Sequence, residues 1–206
     1  FGAAHAFLMV GGASSCVEAM VMSVCKAGDK IIMPRNVHRS AINALVICGA
    51  IPVYVDPGAN QRLGIPLWIS VQDVEKAILA HPEAKAVLVN NPTYYGVCAD
   101  LKGIIELAHA HRMKVLCDEA HGTHFYFSDL LPPGGMQLGA DMAACSVHKT
   151  GGSLTQSAVL LCGDGVPAGY VRQVINLTQT TSGSYLLMAS LDLARRNLAL
   201  HGAEMV

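Results

Sequence analysis

The chain reads as an α/β protein, a mostly parallel sheet with helices on both faces, and three features of its 206 residues lead there. Helical and strand patterns alternate from end to end with no repeat, low-complexity stretch or linker, so one continuous domain over residues 1–206 is expected. The strand candidates are short runs that are apolar at nearly every position, as in Ala84 to Asn90 and Lys114 to Asp118, and such runs belong to strands covered on both sides. Composition agrees, with 52% apolar and only 14% charged residues against about 25% charged in an ordinary soluble domain. A sizeable core follows.

Ser15-x-x-Glu18 has the spacing of a capping box ahead of a helix reaching about Ala27, and Gly28-Asp29 ends it before a strand from Lys30 to Met33. A second helix is expected from Val37 to Cys48, closed by Gly49, followed by a strand from Ile51 to Val55 and a loop bearing Pro and Gly. Ser70-x-x-Asp73 caps a helix to His81, and the run from Ala84 to Asn90 is the next strand. Apolar residues at 101, 104, 105, 107, 108 and 113 mark a helix from Leu101 to Met113, with a strand from Lys114 to Asp118 behind it. Two more strands are expected at Asp141 to Val147 and Thr155 to Cys162, and a helical pattern closes the chain.

Charge and cysteine usage exclude several functions. A net charge of −1 offers no basic field for a nucleic-acid backbone, so no nucleic-acid partner is expected. The most apolar stretch, Ala41 to Val55, is interrupted by Asn43, Gly49 and Pro52 and is shorter than the roughly 20 residues of a membrane span. Seven cysteines, an odd number without a C-x-x-C pair, read as small buried hydrophobes in a reducing compartment, which points to the cytoplasm. The chain opens on Phe1-Gly2 without an initiator Met and closes on Glu204-Met205-Val206 straight after a helical pattern, so a piece of a longer protein is expected.

In open α/β sheets function collects beyond the carboxyl ends of the strands, and four polar loops fall there. Gly11-Gly12-Ala13-Ser14-Ser15 places small residues and two hydroxyls at a helix N-terminus, where free N–H groups and the helix dipole favour an anion such as phosphate, although Ser15 alone is also explained as a cap. Asp118 ends an apolar strand, and a carboxylate buried at the core edge calls for a cationic partner, either a ligand or a structural ion pair. Lys149, after the 141–147 strand and before Gly151-Gly152, is not placed for solvent. Apolar surroundings would lower its pKa towards imine chemistry. The fourth loop, Asn91-Pro92-Thr93-Tyr94-Tyr95-Gly96, follows the 84–90 strand.

Rival readings are weaker. Asp118-Glu119-Ala120-His121 spells a helicase box, but no G-x-x-x-x-G-K-[ST] precedes it. Ser23-x-x-Lys26 with Lys149-Thr150-Gly151 has two of three β-lactamase motifs and lacks S-D-N. His121-x-x-His124 or His109-x-His111 could be tried as zinc ligands, but no cysteine stands at ligand spacing beside either pair, and no metal is expected. His38 follows a strand end and fits either a helix cap or a ring stacking on a flat ligand. An anion seat, a strand-end carboxylate and a loop lysine together match the needs of pyridoxal 5'-phosphate (PLP): a phosphate site, a partner for the pyridine nitrogen and an amine for the aldehyde.

These residues resemble a known family. Asp118-Glu119-Ala120-His121-Gly122 and Ser146-x-His148-Lys149-Thr150, with Pro34-Arg35-Asn36-Val37-His38-Arg39-Ser40, Asn91 to Gly96, Leu154-Thr155-Gln156-Ser157 and Ser184 to Asp192, are similar to the major domain of the fold-type I PLP-dependent decarboxylases of ornithine, lysine and arginine, most of all the shorter bacterial arginine or lysine enzymes. The resemblance covers essentially the whole chain. It implies the three-layer α/β/α large domain of the aspartate aminotransferase fold, with the N-terminal part and C-terminal domain lying outside these residues. It also implies decarboxylation of a basic amino acid to an amine and CO2, and homodimers or higher homo-oligomers.

By that similarity Lys149 carries PLP as an imine, Asp118 pairs with the pyridine nitrogen, and His38 stacks on the ring, the three being the catalytic candidates. Ser14, Ser15, Ser146 and His148 contact phosphate, Ala120 and His121 flank the other side of the ring, and Thr93 lies near its hydroxyl. Gly11-Gly12-Ala13 stands where the family usually has Asn-Gly-Thr/Ser, which shifts phosphate binding towards backbone N–H groups. Strand-end Asp and Lys are shared by aminotransferases and carbon-sulfur lyases with PLP, so these stay open as alternatives. A non-catalytic, cofactor-binding fragment is the other.

Overall fold

Seven strands form one sheet in a computed structural model of the chain, which describes residues 1–205. The elements are β1 (His5–Met9), α1 (Gly12–Val24), β2 (Lys30–Pro34), α2 (Arg39–Cys48), β3 (Ile51–Val55), a small ribbon of β4 (Ala59–Asn60) and β5 (Ile65–Pro66), α3 (Val71–Ala80), β6 (Ala86–Asn90), α4 (Leu101–Ala110), β7 (Lys114–Asp118), a 3-10 helix (Thr123–Phe127), β8 (Met142–Cys145), α5 (Val147–Thr150), β9 (Ala158–Cys162), α6 (Ala168–Thr178) and α7 (Tyr185–Met205). The sheet order is β1-β9-β8-β7-β6-β2-β3. Neighbours from β8 to β3 pair in parallel, whereas β9 runs antiparallel to both β8 and β1. The sheet is therefore mostly parallel, with a single reversed strand.

Two apolar layers cover it. Successive strand residues point to opposite faces, so Met33, Leu88, Leu116, Ala144 and Leu160 pack with α1, α2 and α6. Ile32, Val87, Val89, Cys117, Ala143 and Leu161 pack with α3, α4 and α7. Each large side chain so buried contributes roughly 1.5–3 kcal/mol relative to exposure. Helix α1 buries Ala13, Cys16, Val17, Ala19, Met20 and Val21, more than one stripe of its surface, because it lies between the sheet and α2 and α6.

Several boundaries differ from the sequence reading. Helix α1 starts at Gly12 with Gly11 as its N-cap and ends at Val24, so Ser15-x-x-Glu18 is not a capping box. Gly12 adopts a φ of 76° and donates its N–H to the Gln156 carbonyl at 2.8 Å, and this contact with the β9 loop sets the start of the helix. Helix α2 begins at Arg39, with His38 as its cap. Ser70 caps α3 as its spacing predicts, accepting from the Asp73 N–H. The expected strand 141–147 ends at Cys145, and 147–150 turns into a short helix. The expected 155–162 strand starts at Ala158. Strand β1 and helix α6 have no counterpart in the sequence reading.

Candidate active site

The parallel strands all end at the same edge, and a cavity of about 490 Å³ opens there on the side of α1 and α2. Strand parity decides which residues face it. Asn90 and Asp118 are register partners on β6 and β7 and share the parity of Leu88 and Leu116, which pack under α1. Ser146 follows β8 with the parity of Ala144. Because β9 is reversed, its entry residues Thr155 and Gln156 reach this same edge and close the cavity beside Gly12.

Nine of the ten residues singled out in the sequence line this one cavity: Ser14, His38, Thr93, Asp118, Ala120, His121, Ser146, His148 and Lys149. Ser15 does not. It is buried, and its hydroxyl donates to the Gly12 carbonyl at 2.8 Å. That places Ser14 as the exposed hydroxyl of the α1 turn, beside an N-terminus with no side-chain cap and no acidic residue in its first turn. First-turn N–H groups lack partners within a helix, and the dipole there favours an anion.

Asp118 is buried at 7% exposure and accepts an N–H from Ala120 at 3.1 Å. Burial pushes its pKa up, and the Ala120 N–H, His38 and Lys149 pull against that push without cancelling it. Lys149 is exposed to the cavity, in contrast to the apolar pocket expected, and its Nζ lies 3.1 Å from His121 Nε2. Burial, then Lys149 and His38, hold the His121 pKa below the ordinary histidine value. His38 Nδ1 accepts the Ser40 N–H at 3.2 Å, which leaves the ring hydrogen on Nε2. His148 Nδ1 lies 3.0 Å from the Ser157 carbonyl, so this nitrogen is the one protonated. Thr93 Oγ1 accepts the Val97 N–H at 3.2 Å, and its own hydrogen stays free to donate.

Asn90 and Gln156 also line the cavity without being among the site candidates of the sequence. Asn90 donates from Nδ2 to the Asn36 carbonyl at 2.9 Å, tying β6 to the loop that carries His38, while its buried Oδ1 has no partner. Its signal was present, a polar residue ending an apolar run as Asp118 does. Gln156, held at a φ of 76°, lies in the Leu154-Thr155-Gln156-Ser157 segment that carries the family resemblance, but nothing in that segment marks it as a cavity residue. Of the histidines weighed as metal ligands, His109 pairs with Asp141 at 2.8 Å and His124 meets Phe125 edge to face.

A profile described as "Orn/Lys/Arg decarboxylase, major domain" matches residues 1–206. The chain belongs to that decarboxylase family. It is 52% identical over 206 residues to an arginine decarboxylase of Bacillus subtilis (strain 168), covering 100% of this chain and 42% of that relative. Among solved structures it resembles lysine decarboxylase A from Pseudomonas aeruginosa, with a TM-score of 0.87 and 25% identity over 97% of this chain and 30% of that one. It also shares the fold of an SPT described with PLP, at a TM-score of 0.76 and 19% identity over 97% of this chain and 48% of that one. The chain spans less than half the length of these relatives. The decarboxylase-family domain thus has the α/β fold with a mostly parallel sheet that the sequence predicts.

Proposed function

We propose that this decarboxylase-family domain holds PLP at the strand-end cavity, and that the full-length protein decarboxylates a basic amino acid, arginine first. The observation that carries the reading is that the Lys149 amine and the Asp118 carboxyl open onto one cavity whose third wall is the uncapped start of α1. The residues present fit the cofactor on three further counts. Asp118 is a buried carboxylate that still wants a cation. Asn90 Oδ1 is a buried acceptor without a partner. A side chain at Gly11 would collide with Ser15 Oγ and Gln179 Oε1, so a bare backbone lies at the phosphate end. Arginine is favoured by the names of relatives at 50–52% identity, all arginine decarboxylases.

When bound, PLP supplies an electrophilic aldehyde and a ring that accepts the electron pair released as CO2 departs. Lys149 Nζ would be the nucleophile for the aldehyde, and His121 Nε2, 3.1 Å away, would accept a hydrogen bond from that amine and orient it. Asp118 keeps the ring nitrogen protonated, which pulls its own pKa back down. Ser14, Ser146, His148 and the first N–H groups of α1 hold the phosphate. His38 and Ala120 with His121 take opposite faces of the ring, and Thr93 donates at its hydroxyl. By the family resemblance the protein would act as a homodimer or a higher homo-oligomer, in the cytoplasm. Among the described residues no helix is long and apolar enough to cross a membrane.

The test is Lys149→Ala in the full-length protein. Borohydride reduction should fix PLP covalently to the wild type and not to the variant. Persistent labelling would overturn the assignment. CO2 with agmatine, against a keto acid, separates decarboxylation from transamination or carbon-sulfur cleavage.

A further inference from the structure

Two aromatic rings with no part in holding the cofactor stand at the mouth of the cavity. Tyr94 and Tyr95 are 78% and 52% exposed, and their rings meet edge to face with centroids 5.3 Å apart. Tyr94 also meets the His121 ring at 5.4 Å, again edge to face, and His121 Nε2 touches Lys149 Nζ. One imidazole therefore separates the tyrosine pair from the amine at which a substrate's α-amino group must arrive. A long basic side chain anchored there extends about as far as the tyrosines.

The charges of the cavity sharpen the point. Asp118 is the one carboxylate among its described lining residues, and it is buried at the end of β7. Lys149 and three histidines line the rest. Among the described lining residues a cationic side chain thus meets no free acid. An aromatic face attracts a cation, and a flat guanidinium stacks on it better than an ammonium does. His121, its pKa held below the ordinary value, stays neutral beside the incoming charge.

We propose that Tyr94, backed by Tyr95, seats the cationic end of the substrate. This rests on the decarboxylase reading. The experiment compares PLP-loaded full-length protein with Tyr94→Leu, Tyr94→Phe and Tyr95→Leu. It records KM and kcat for arginine, and calorimetric Kd for agmatine and for N-carbamoylputrescine, the same amine with an uncharged urea in place of the guanidinium. Tyr94→Leu should raise KM for arginine and Kd for agmatine roughly 3- to 30-fold, leaving kcat, the cofactor absorbance and the Kd for N-carbamoylputrescine unchanged. Tyr95→Leu should give a smaller change in the same direction, and Tyr94→Phe should stay within about 2-fold of wild type.

Equal weakening of both ligands, no weakening of either, or a loss confined to dimer assembly overturns the proposal. Should Tyr94→Leu lose the cofactor absorbance, Tyr94→Gln, of similar size and without an aromatic face, takes its place in the same comparison. If wild type releases no CO2 from arginine, the decarboxylase reading fails by itself, and the two Kd values still decide the seat.

Discussion

The two ends of the sheet each bury an aspartate to nearly the same degree, Asp118 at 7% exposure and Asp141 at 8%, and treat it in opposite ways. At the amino end Asp141 receives Lys114 Nζ, His109 Nε2 and the Val115 N–H, each at 2.8 Å. Burial alone would raise its pKa, but Lys114, the Val115 N–H and His109 outweigh burial and hold it below the ordinary carboxylate value. At the carboxyl end Asp118 has one backbone N–H, and burial keeps its pKa raised. A carboxylate used to hold the sheet together is saturated by its own chain. One left wanting a cation, with an orphaned Asn90 oxygen beside it, is what the proposed cofactor site calls for.

The contrast can be broken at either end. Asp118→Asn should cut decarboxylation roughly 10²–10³-fold, the scale of losing a preorganised electrostatic partner, while the melting temperature of cofactor-free protein holds or rises. A large loss of stability with little loss of turnover would reverse the assignment. Asp141→Ala should do the opposite, destabilising by about 2–3 kcal/mol in urea unfolding. That is less than a fully buried pair, because Lys114 and His109 are each about two-fifths exposed. The sign follows from its lowered pKa: the contribution of Asp141 is present above its ordinary value of 3.8 and disappears as the pH falls through the lowered one. The penalty of Asp141→Ala should therefore shrink in acid.

Glu119, next to Asp118 but on the other face of the sheet, is an intermediate case. It is fully buried and accepts hydrogen bonds from the Tyr126 hydroxyl and, at 2.7 Å, the Gly135 N–H, yet burial still pushes its pKa up to about 7. The folded state then binds a proton that the unfolded state has released, so stability falls as pH rises from about 4.5 to about 7, by at most about 1.4 kcal/mol per pH unit. Glu119→Gln should flatten that slope in thermal unfolding and leave cofactor binding alone. The smallest effect divides two adjacent serines. Ser14→Ala should weaken PLP binding by about 1 kcal/mol. Ser15→Ala should leave PLP binding unchanged and cost about 1 kcal/mol of stability. Equal effects on PLP binding would place both hydroxyls in the site.

Much of this was legible because burial leaves a trace in composition. Strands β6 and β7 announce themselves as apolar runs that stop at Asn90 and Asp118, and a polar residue at such a stop is visible in one dimension. Strand β1 left no trace because it is an edge strand whose first residues are exposed, and α6 because only Val171 and Val174 of it are buried. Val147 prolongs the apolar run of β8 and reads as strand, although the chain has already turned into α5. Ser70 and Ser15 carry the same capping signal. The first is a cap, and the second lies inside a helix whose start is set by Gly12 binding a carbonyl from 144 residues further along the chain.

The order of residues by itself determined the chemistry on offer, a lysine, an aspartate and a run of small residues ahead of a helix, at polar stops between apolar segments, since local backbone preference and side-chain period act over a few residues. Only the tertiary structure decided that these stops share one edge, that Asn90 lies beside Asp118, and that a reversed β9 delivers Gln156 to Gly12. Which strand lies beside which is settled by burying both faces of the whole sheet at once, and no short stretch of chain contains that condition.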